Sequence, residues 1–305
     1  MRVSVIICTK DRRDSLLKTI NSIKRQTLLP EELIIVDAGV NERLEDELLN
    51  IVNNMNLKYI YTEPGLTKQR NIGIKNASGA IIFFFDDDVI LDPKYIEKVV
   101  RVFQNDQNRE IGAVSGRIVN YYRYNSIKGM LTKVILHIFL APHYGDGKFK
   151  VSGMAPLPHI LLQGKWIQRL SGCCMTFRKE VFKDLAFDEM LSGYSAMEDL
   201  DISKRVSDRY KIFYEPEAKL IHKKSVVGRL DEFQIARMTL INQHYLFKKN
   251  WPQTLPRKLA FWWGIIGSLT LSIFTRNLNH LRGTLAGIYD VVIKEARNSI
   301  GQRQK

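Results

Sequence analysis

Between residues 3 and 118 the chain repeats one rhythm. A short, almost wholly apolar run is followed by a stretch whose apolar residues recur three and four positions apart. The runs are "RVSVIICT", "ELIIVDA", "LKYIYT", "GAIIFFFD" and "IGAVSGRIV". Between them lie "SLLKTINSIKRQ", "NERLEDELLNIVNNM", "LTKQRNIGIKNAS" and "PKYIEKVVRVFQ". The first of these puts Leu16, Leu17, Ile20 and Ile23 on one helical face. Strands that do not alternate with polar residues are buried on both faces, so the pattern predicts a mainly parallel sheet with helices on each side. The fold class is α/β. In such sheets ligands bind beyond the carboxyl ends of the strands.

Carboxylates stand at those ends. Asp37 closes the second run, and Asp86, Asp87 and Asp88 follow the apolar Ile81–Phe85. Three adjacent carboxylates beside a buried strand repel one another unless a positive group lies among them. A hard divalent cation, which takes oxygen ligands, suits the cluster. A solvated acidic turn ahead of Asp92-Pro93 fits these residues as well.

Residues 120–170 break the rhythm and read as an excursion with one amphipathic piece, "KGMLTKVILHIFLAP". The α/β pattern resumes at "CCMTFRKEVF", continues through a helix in "SAMEDLDISKRVSDR", and gives two short strands in "KIFYEPEAKLIHKKS", on either side of Glu215-Pro216. From about Asp231 the chain reads as helical. There the 17 uncharged residues 259–275 are flanked by Arg257, Lys258 and Arg276. That length is the lower limit for a membrane span. A buried helix, an interfacial helix and a span all fit this composition.

The net charge of +14 is uneven. Residues 117–171 carry 8 basic against 1 acidic side chain, and residues 229–305 carry 12 against 4. Such surfaces suit nucleic acid, anionic lipid or an acidic substrate. The three cysteines, Cys8, Cys173 and Cys174, form no C-x-x-C pair, which argues against a disulfide framework or a zinc site and favours a reducing cytoplasmic setting. The chain opens directly on a strand, so no signal peptide is expected. Neither G-x-G-x-x-G nor a P-loop pattern occurs, which disfavours a dehydrogenase or P-loop enzyme.

Four pieces, in order, resemble the inverting family 2 glycosyltransferases with the GT-A fold, a Rossmann-like α/β architecture. They are "VSVIICTKDRRDSLLKTINSIKRQT", "ELIIVDAG", "GLTKQRNIGIKNASGAIIFFFDDDVILDP" and "SGCCMTFRKEVF…FDEMLSGYSAMEDLDISKRV". The likeness covers roughly residues 3–118 and 171–224. It departs at "CTKD" and at "AGVNERLED", where the family often has Pro-Thr-x-Asn and Asp-Gly-Ser-x-Asp, and residues 120–170 match nothing in it.

The resemblance implies roles. Asp37 would accept a hydrogen bond from the nucleotide base, and Thr9 and Asp11 would line the base and ribose pocket. Asp86, with Asp87 beside it, would contact the ribose or help hold the metal. Arg70 would approach the diphosphate or, equally, pair with the acidic cluster. Asp88 would be the direct metal ligand, completed by His222 unless that residue is structural, and the metal would be Mn2+ or Mg2+. Glu198, Asp199 and Asp201 cluster at a helix start, where the helix dipole already favours anions. Asp199 would be the catalytic base, with Glu198 the second choice for that role or an acceptor ligand.

The implied activity is inverting transfer of a sugar from a nucleotide-sugar to a hydroxyl of a glycan or lipid-linked acceptor in cell-surface glycan assembly. The expected domains are residues 1–228, with the excursion near the acceptor side, and a basic helical region, 229–305. The expected location is peripheral, at the anionic inner face of the cell membrane. The competing reading is a basic nucleic-acid- or lipid-associated binder on a non-catalytic GT-A scaffold. No zinc-finger spacing or RRM-like aromatic motif supports nucleic acid as a partner.

Overall fold

The computed structural model describes residues 1–40, 44–52, 55–121, 126–141, 143–191, 196–225 and 230–303, with side chains as far as residue 293. It divides into two compact units. The first comprises Met1–Tyr122, Tyr144–Lys148 and Pro156–Arg229, and the second Arg123–His143, Phe149–Ala155 and Leu230–Lys305.

The first unit carries β1 (Val3–Thr9), α1 (Arg13–Lys24), β2 (Glu32–Asp37), α2 (Glu45–Ile51), β3 (Asn56–Tyr61), α3 (Leu66–Asn76), β4 (Ile81–Asp86), β5 (Val89–Leu91), α4 (Tyr95–Asn105) and β6 (Ile111–Ile118). After the excursion come β7 (Lys165–Ile167), β8 (Cys174–Arg178), α6 (Glu198–Ser207) and β9 (Lys211–His222). The ends of the stretch expected as a helix over 41–55 lie partly outside the described residues. The strands form one sheet in the order β3-β2-β1-β4-β8-β6-β9-β5, with β7 on β9. The pairs β3–β2, β2–β1, β1–β4 and β6–β9 are parallel, and β8, β5 and β7 add antiparallel pairs. This is the mostly parallel, Rossmann-like sheet that the apolar runs predict.

Alternation within each strand builds the core on both faces. Val5, Ile7, Leu33, Ile35, Phe83 and Phe85 join Leu16, Ile20, Val99 and Phe103 on one side. Ile6, Ile34, Ile82 and Phe84 join Phe177, Ile202 and Tyr214 on the other. The register then sets the site. Thr9 pairs with Asp37, and Cys8 with Asp86, so β1, β2 and β4 end at one level.

One expectation changes. The two short strands around Pro216 are one strand, β9, running from Lys211 to His222. Proline lacks an N–H and cannot continue a ladder. The break is absorbed as a register irregularity: Ser115 pairs with Tyr214, but Arg117 pairs with Lys219.

The second unit contains α5 (Ile127–Ile138), α7 (Glu232–Asn250), α8 (Leu255–Thr275) and α9 (Leu278–Arg303). Asp231 and Gln234 form a capping box that starts α7. Its core joins Leu240, Phe247, Trp251, Phe261 and Ile265. Glycines allow close helix contacts. A Cβ on Gly283 would lie 2.3 Å from the Phe233 carbonyl oxygen, and one on Gly267 would lie 2.2 Å from Phe139 Cβ. Among the described residues α8 is the one helix long and apolar enough to cross a membrane, yet only 33% of its apolar window is buried.

Candidate active site at the strand ends

The β4–β5 turn presents its three carboxylates in different directions. Asp88 Oδ1 is buried, and the antiparallel pairing of Val89 with His222 brings that imidazole beside it. His222 Nε2 lies 3.0 Å from Asp88 Oδ1 and 3.8 Å from Asp86 Oδ2. The other Asp88 oxygen accepts the Ser225 N–H at 2.7 Å. One ligand atom from each of Asp86, Asp88 and His222 falls within 4.8 Å of the others. Apart from the ion-pair approach of His222, Asp88 Oδ1 has no hydrogen-bond donor among the described residues. Two carboxylates and one imidazole with their ligand atoms this close fit a divalent cation. Burial opposes the charged form of His222, but contact with Asp88, then Cys173 and Asp86, outweighs it and raises its pKa to about 11. Without a cation the imidazole is therefore positively charged and supplies part of what the acidic cluster needs.

Asp87 turns away from this group. It accepts from Thr9 Oγ1 at 2.7 Å and from Arg12 Nη1 at 3.1 Å. Burial raises its pKa to about 6 against the pull of Arg12. Both oxygens of Asp37 are also engaged within the protein, by the Gly39 N–H at 2.7 Å and by the Tyr59 hydroxyl. Asp11 has φ 53 and accepts the Val40 N–H at 2.9 Å, which closes the loop across the ends of β1 and β2. Asp and Asn tolerate this left-handed conformation better than most residues.

Arg70, on α3, is buried at the centre. Its guanidinium pairs with Glu198 Oε1 at 2.7 Å, approaches Asp86 Oδ1 at 3.6 Å, and donates to the Gly172 carbonyl at 3.1 Å. It also lies 5.1 Å from the Phe187 ring centroid. Pairing with the acidic cluster, one of its two sequence readings, is thus present, and the pairing with Glu198 extends it. Neighbouring Asn71 holds Phe187 by donating to its carbonyl and accepting its N–H, each at 2.9 Å.

The start of α6 supplies the second acidic group. Met197 precedes it at φ 77, a left-handed conformation costly for a long side chain. Glu198 is buried, and desolvation raises its pKa to about 7, with Arg70 opposing and Asp199 adding to the rise. Asp199 is more open. Arg169 Nη2 lies 2.9 Å from each of its oxygens, and the Gly172 N–H donates to it at 3.2 Å. Asp201 is buried against Arg205, a pairing within the helix. Arg169 and Gly172 were not among the sequence candidates. Gly172 has a steric signal, since a Cβ there would meet Glu198 Oε1 at 3.0 Å.

Residues 4–186 match the family model for Glycosyl transferase family 2. The chain belongs to that family. Among family relatives it is similar to the glycosyltransferase YwdF of Bacillus subtilis, with 39% identity over 106 residues, 33% of this chain and 38% of that protein. It is also similar to the glucosyl-dolichyl phosphate glucuronosyltransferase of Haloferax volcanii, with 32% identity over 124 residues, 39% of each chain. The matched segments thus span under two fifths of either relative. The fold is similar to that of the Pyrobaculum calidifontis mannosyltransferase PcManGT in complex with GDP-Man and Mn2+, with TM-score 0.59 and 13% identity, covering 94% of this chain and 86% of that one. The architecture of this family 2 chain is GT-A, with a C-terminal helical block.

Proposed function

We propose that this chain is a metal-dependent inverting glycosyltransferase that moves a sugar from a nucleotide-sugar to a hydroxyl of a glycan or lipid-linked acceptor. The observation that carries the reading is the placement of Asp86, Asp88 and His222 at the strand ends, joined through Arg70 to the Glu198–Asp199 pair. Asp86, Asp88 and His222 would hold Mn2+ or Mg2+, and the bound cation would supply charge stabilisation for the departing diphosphate. Thr9, Asp11 and Asp37 frame the base and ribose pocket, and Asp87 fixes it from behind by holding Thr9 and Arg12.

In inverting transfer the acceptor hydroxyl attacks from the face opposite the leaving group, and a carboxylate must take its proton. Asp199 is assigned that role. Its side chain is 16% exposed, against 9% for Glu198, which is turned inward onto Arg70. Arg169 and the Gly172 N–H orient the Asp199 carboxylate. Glu198 holds Arg70 near Asp86, and so ties the base helix to the donor side.

Residues 229–305, together with the excursion helix, are assigned to attachment at the anionic inner face of the cell membrane. Ile127, Met130, Leu131, Val134 and Ile138 on α5, and Leu255, Leu259, Trp263, Ile266 and Ile273 on α8, are all exposed. Lys128, Lys133, Arg257, Lys258 and Arg276 lie in or beside the same helices. That composition suits a helix pair lying in the interface.

The deciding experiment is the Asp199→Asn variant. Transfer should fall by about 10²–10⁴-fold while affinity for the donor stays as in wild type. Normal turnover in that variant would remove Asp199 as the base.

A further inference from the structure

Next to the Asp199 carboxylate, reached through Arg169, lies a group of buried donors that the reading above does not use. Arg169 Nη2 is engaged with Asp199, but its Nε and Nη1 have no hydrogen-bond partner among the described residues. The same holds for Arg117 Nε, His159 Nε2 and the Tyr214 hydroxyl. His159 is 1% exposed and Tyr214 0%.

The fold brings these residues together. Tyr214, on β9, pairs with Ser115 on β6, and Arg117 lies two residues further along β6 on the same face. Arg169 follows β7, which pairs with β9 through Tyr214 and Ile212. The His159 ring centroid is 6.5 Å from that of Tyr214.

The protonation states are set by the surroundings. His159 Nδ1 accepts the Ile118 N–H at 3.4 Å, so its proton is on Nε2, which makes that atom a donor. Burial first, then the charges of His222, Arg117 and Arg169, lowers its pKa to about 3 and keeps it neutral. The carboxylates bearing on the group are Asp199, held by Nη2 of Arg169, and Glu215, which acts on Tyr214. Buried polar groups without partners are rare in proteins and costly. Here five such atoms are all able to donate, and two belong to a guanidinium beside the proposed base.

We propose that this cluster is a binding site for a phosphate group carried by the acceptor, lined by Arg117, His159, Arg169 and Tyr214. The word acceptor rests on the glycosyltransferase reading, whereas the anion site rests on the donor cluster itself. Arg169 can turn only one of its two nitrogens, Nε or Nη1, to a given anion, so at most four of the donors meet one ligand, and two guanidiniums with two neutral donors suit the higher charge of a phosphate. A phosphate held here would place the rest of the acceptor next to Asp199 and give the enzyme selectivity for phosphate-bearing glycans or lipid carriers.

The test is thermal unfolding of the purified full chain in increasing sodium phosphate at constant ionic strength, with sodium acetate as the second anion. Tyr214→Phe keeps the ring and removes one donor, and Arg117→Gln removes a charge. Wild type should show a saturable rise in Tm with phosphate, by mass action. Tyr214→Phe should melt at or above the wild-type temperature without phosphate, since a hydroxyl lacking a partner is lost. Its apparent phosphate Kd should weaken about tenfold or more, and Arg117→Gln should lose the response. Comparing variants cancels the general salt effect of phosphate.

A phosphate response that survives both substitutions, or is absent from wild type, overturns the proposal. So does an acetate response of equal strength lost in the same variants, because the site would then take a carboxylate. No nucleotide-sugar enters any arm, so failure here is distinct from failure of the glycosyltransferase reading, which metal-dependent donor binding tests.

Discussion

Glu32 illustrates how single buried charges are held in this fold. It sits at the start of β2, 2% exposed. It accepts hydrogen bonds from Lys58 Nζ, the Ser4 and Ser78 hydroxyls and the Ser78 N–H. Burial alone would raise its pKa, but Lys58, Ser4 and Ser78 outweigh it and lower the value to about 2. A carboxylate depressed on folding stabilises the native state fully above its unfolded pKa, near 4.3, and loses that contribution as pH falls through its folded value. Glu32→Gln should therefore cost on the order of 3 kcal/mol at pH 7. In chemical denaturation the gap to wild type should shrink between about pH 4.5 and pH 2, and a gap independent of pH would contradict the account.

At this scale the sequence is informative where chemistry and strand ends coincide. Asp86 and Asp88 were readable because a strand-end carboxylate cluster needs a counter-charge, His222 entered only through the family resemblance, and the three do converge. Asp37 and Asp87 were readable as residues at the site but not in orientation. Each is turned to protein donors, Gly39 and Tyr59 or Thr9 and Arg12, that local sequence does not reveal. Arg169 stayed hidden because it lies at the end of the excursion, where no periodicity marks which side chains turn inward.

At the scale of elements, the parallel strands were legible from their apolar runs, whereas β5 and β7 were not. Each has three residues and is defined by pairing with β9 rather than by a pattern of its own. The helices of the second unit were legible as helices, and the partial burial of α8 needed tertiary packing. Its inner face, with Phe261, Gly264 and Ile265, is buried. Trp263 is anchored by donating to the Ile138 carbonyl at 2.9 Å and is 43% exposed. A flat, interface-bound helix pair should follow from this arrangement. In co-sedimentation, the chain should bind vesicles containing anionic phospholipid and release them at high salt. Ile266→Asp or Val134→Asp should weaken partitioning by about tenfold or more, since a carboxylate resists entry into the interface. Binding unchanged by both substitutions would exclude this face.

At the scale of the whole molecule, a GT-A unit and a helical unit are built from one chain by different rules. The first is fixed by buried strands whose register aligns Thr9, Asp37 and Asp86. The second depends on helix packing through glycines and a small aromatic core. The excess positive charge falls on the excursion and the C-terminal helices rather than on the strand-end site. That division fits a catalytic unit attached to an anionic surface by its partner, and the proposed chemistry then depends on the strand-end triad. The most direct measurement is thermal unfolding of wild type and Asp88→Asn with a panel of nucleotide-sugars, each with and without Mn2+. Wild type should gain stability with one donor and only when Mn2+ is present, and Asp88→Asn should lose that gain. A donor-induced shift that is equal without metal, or equal in Asp88→Asn, would contradict the assignment of Asp86, Asp88 and His222 as the metal site.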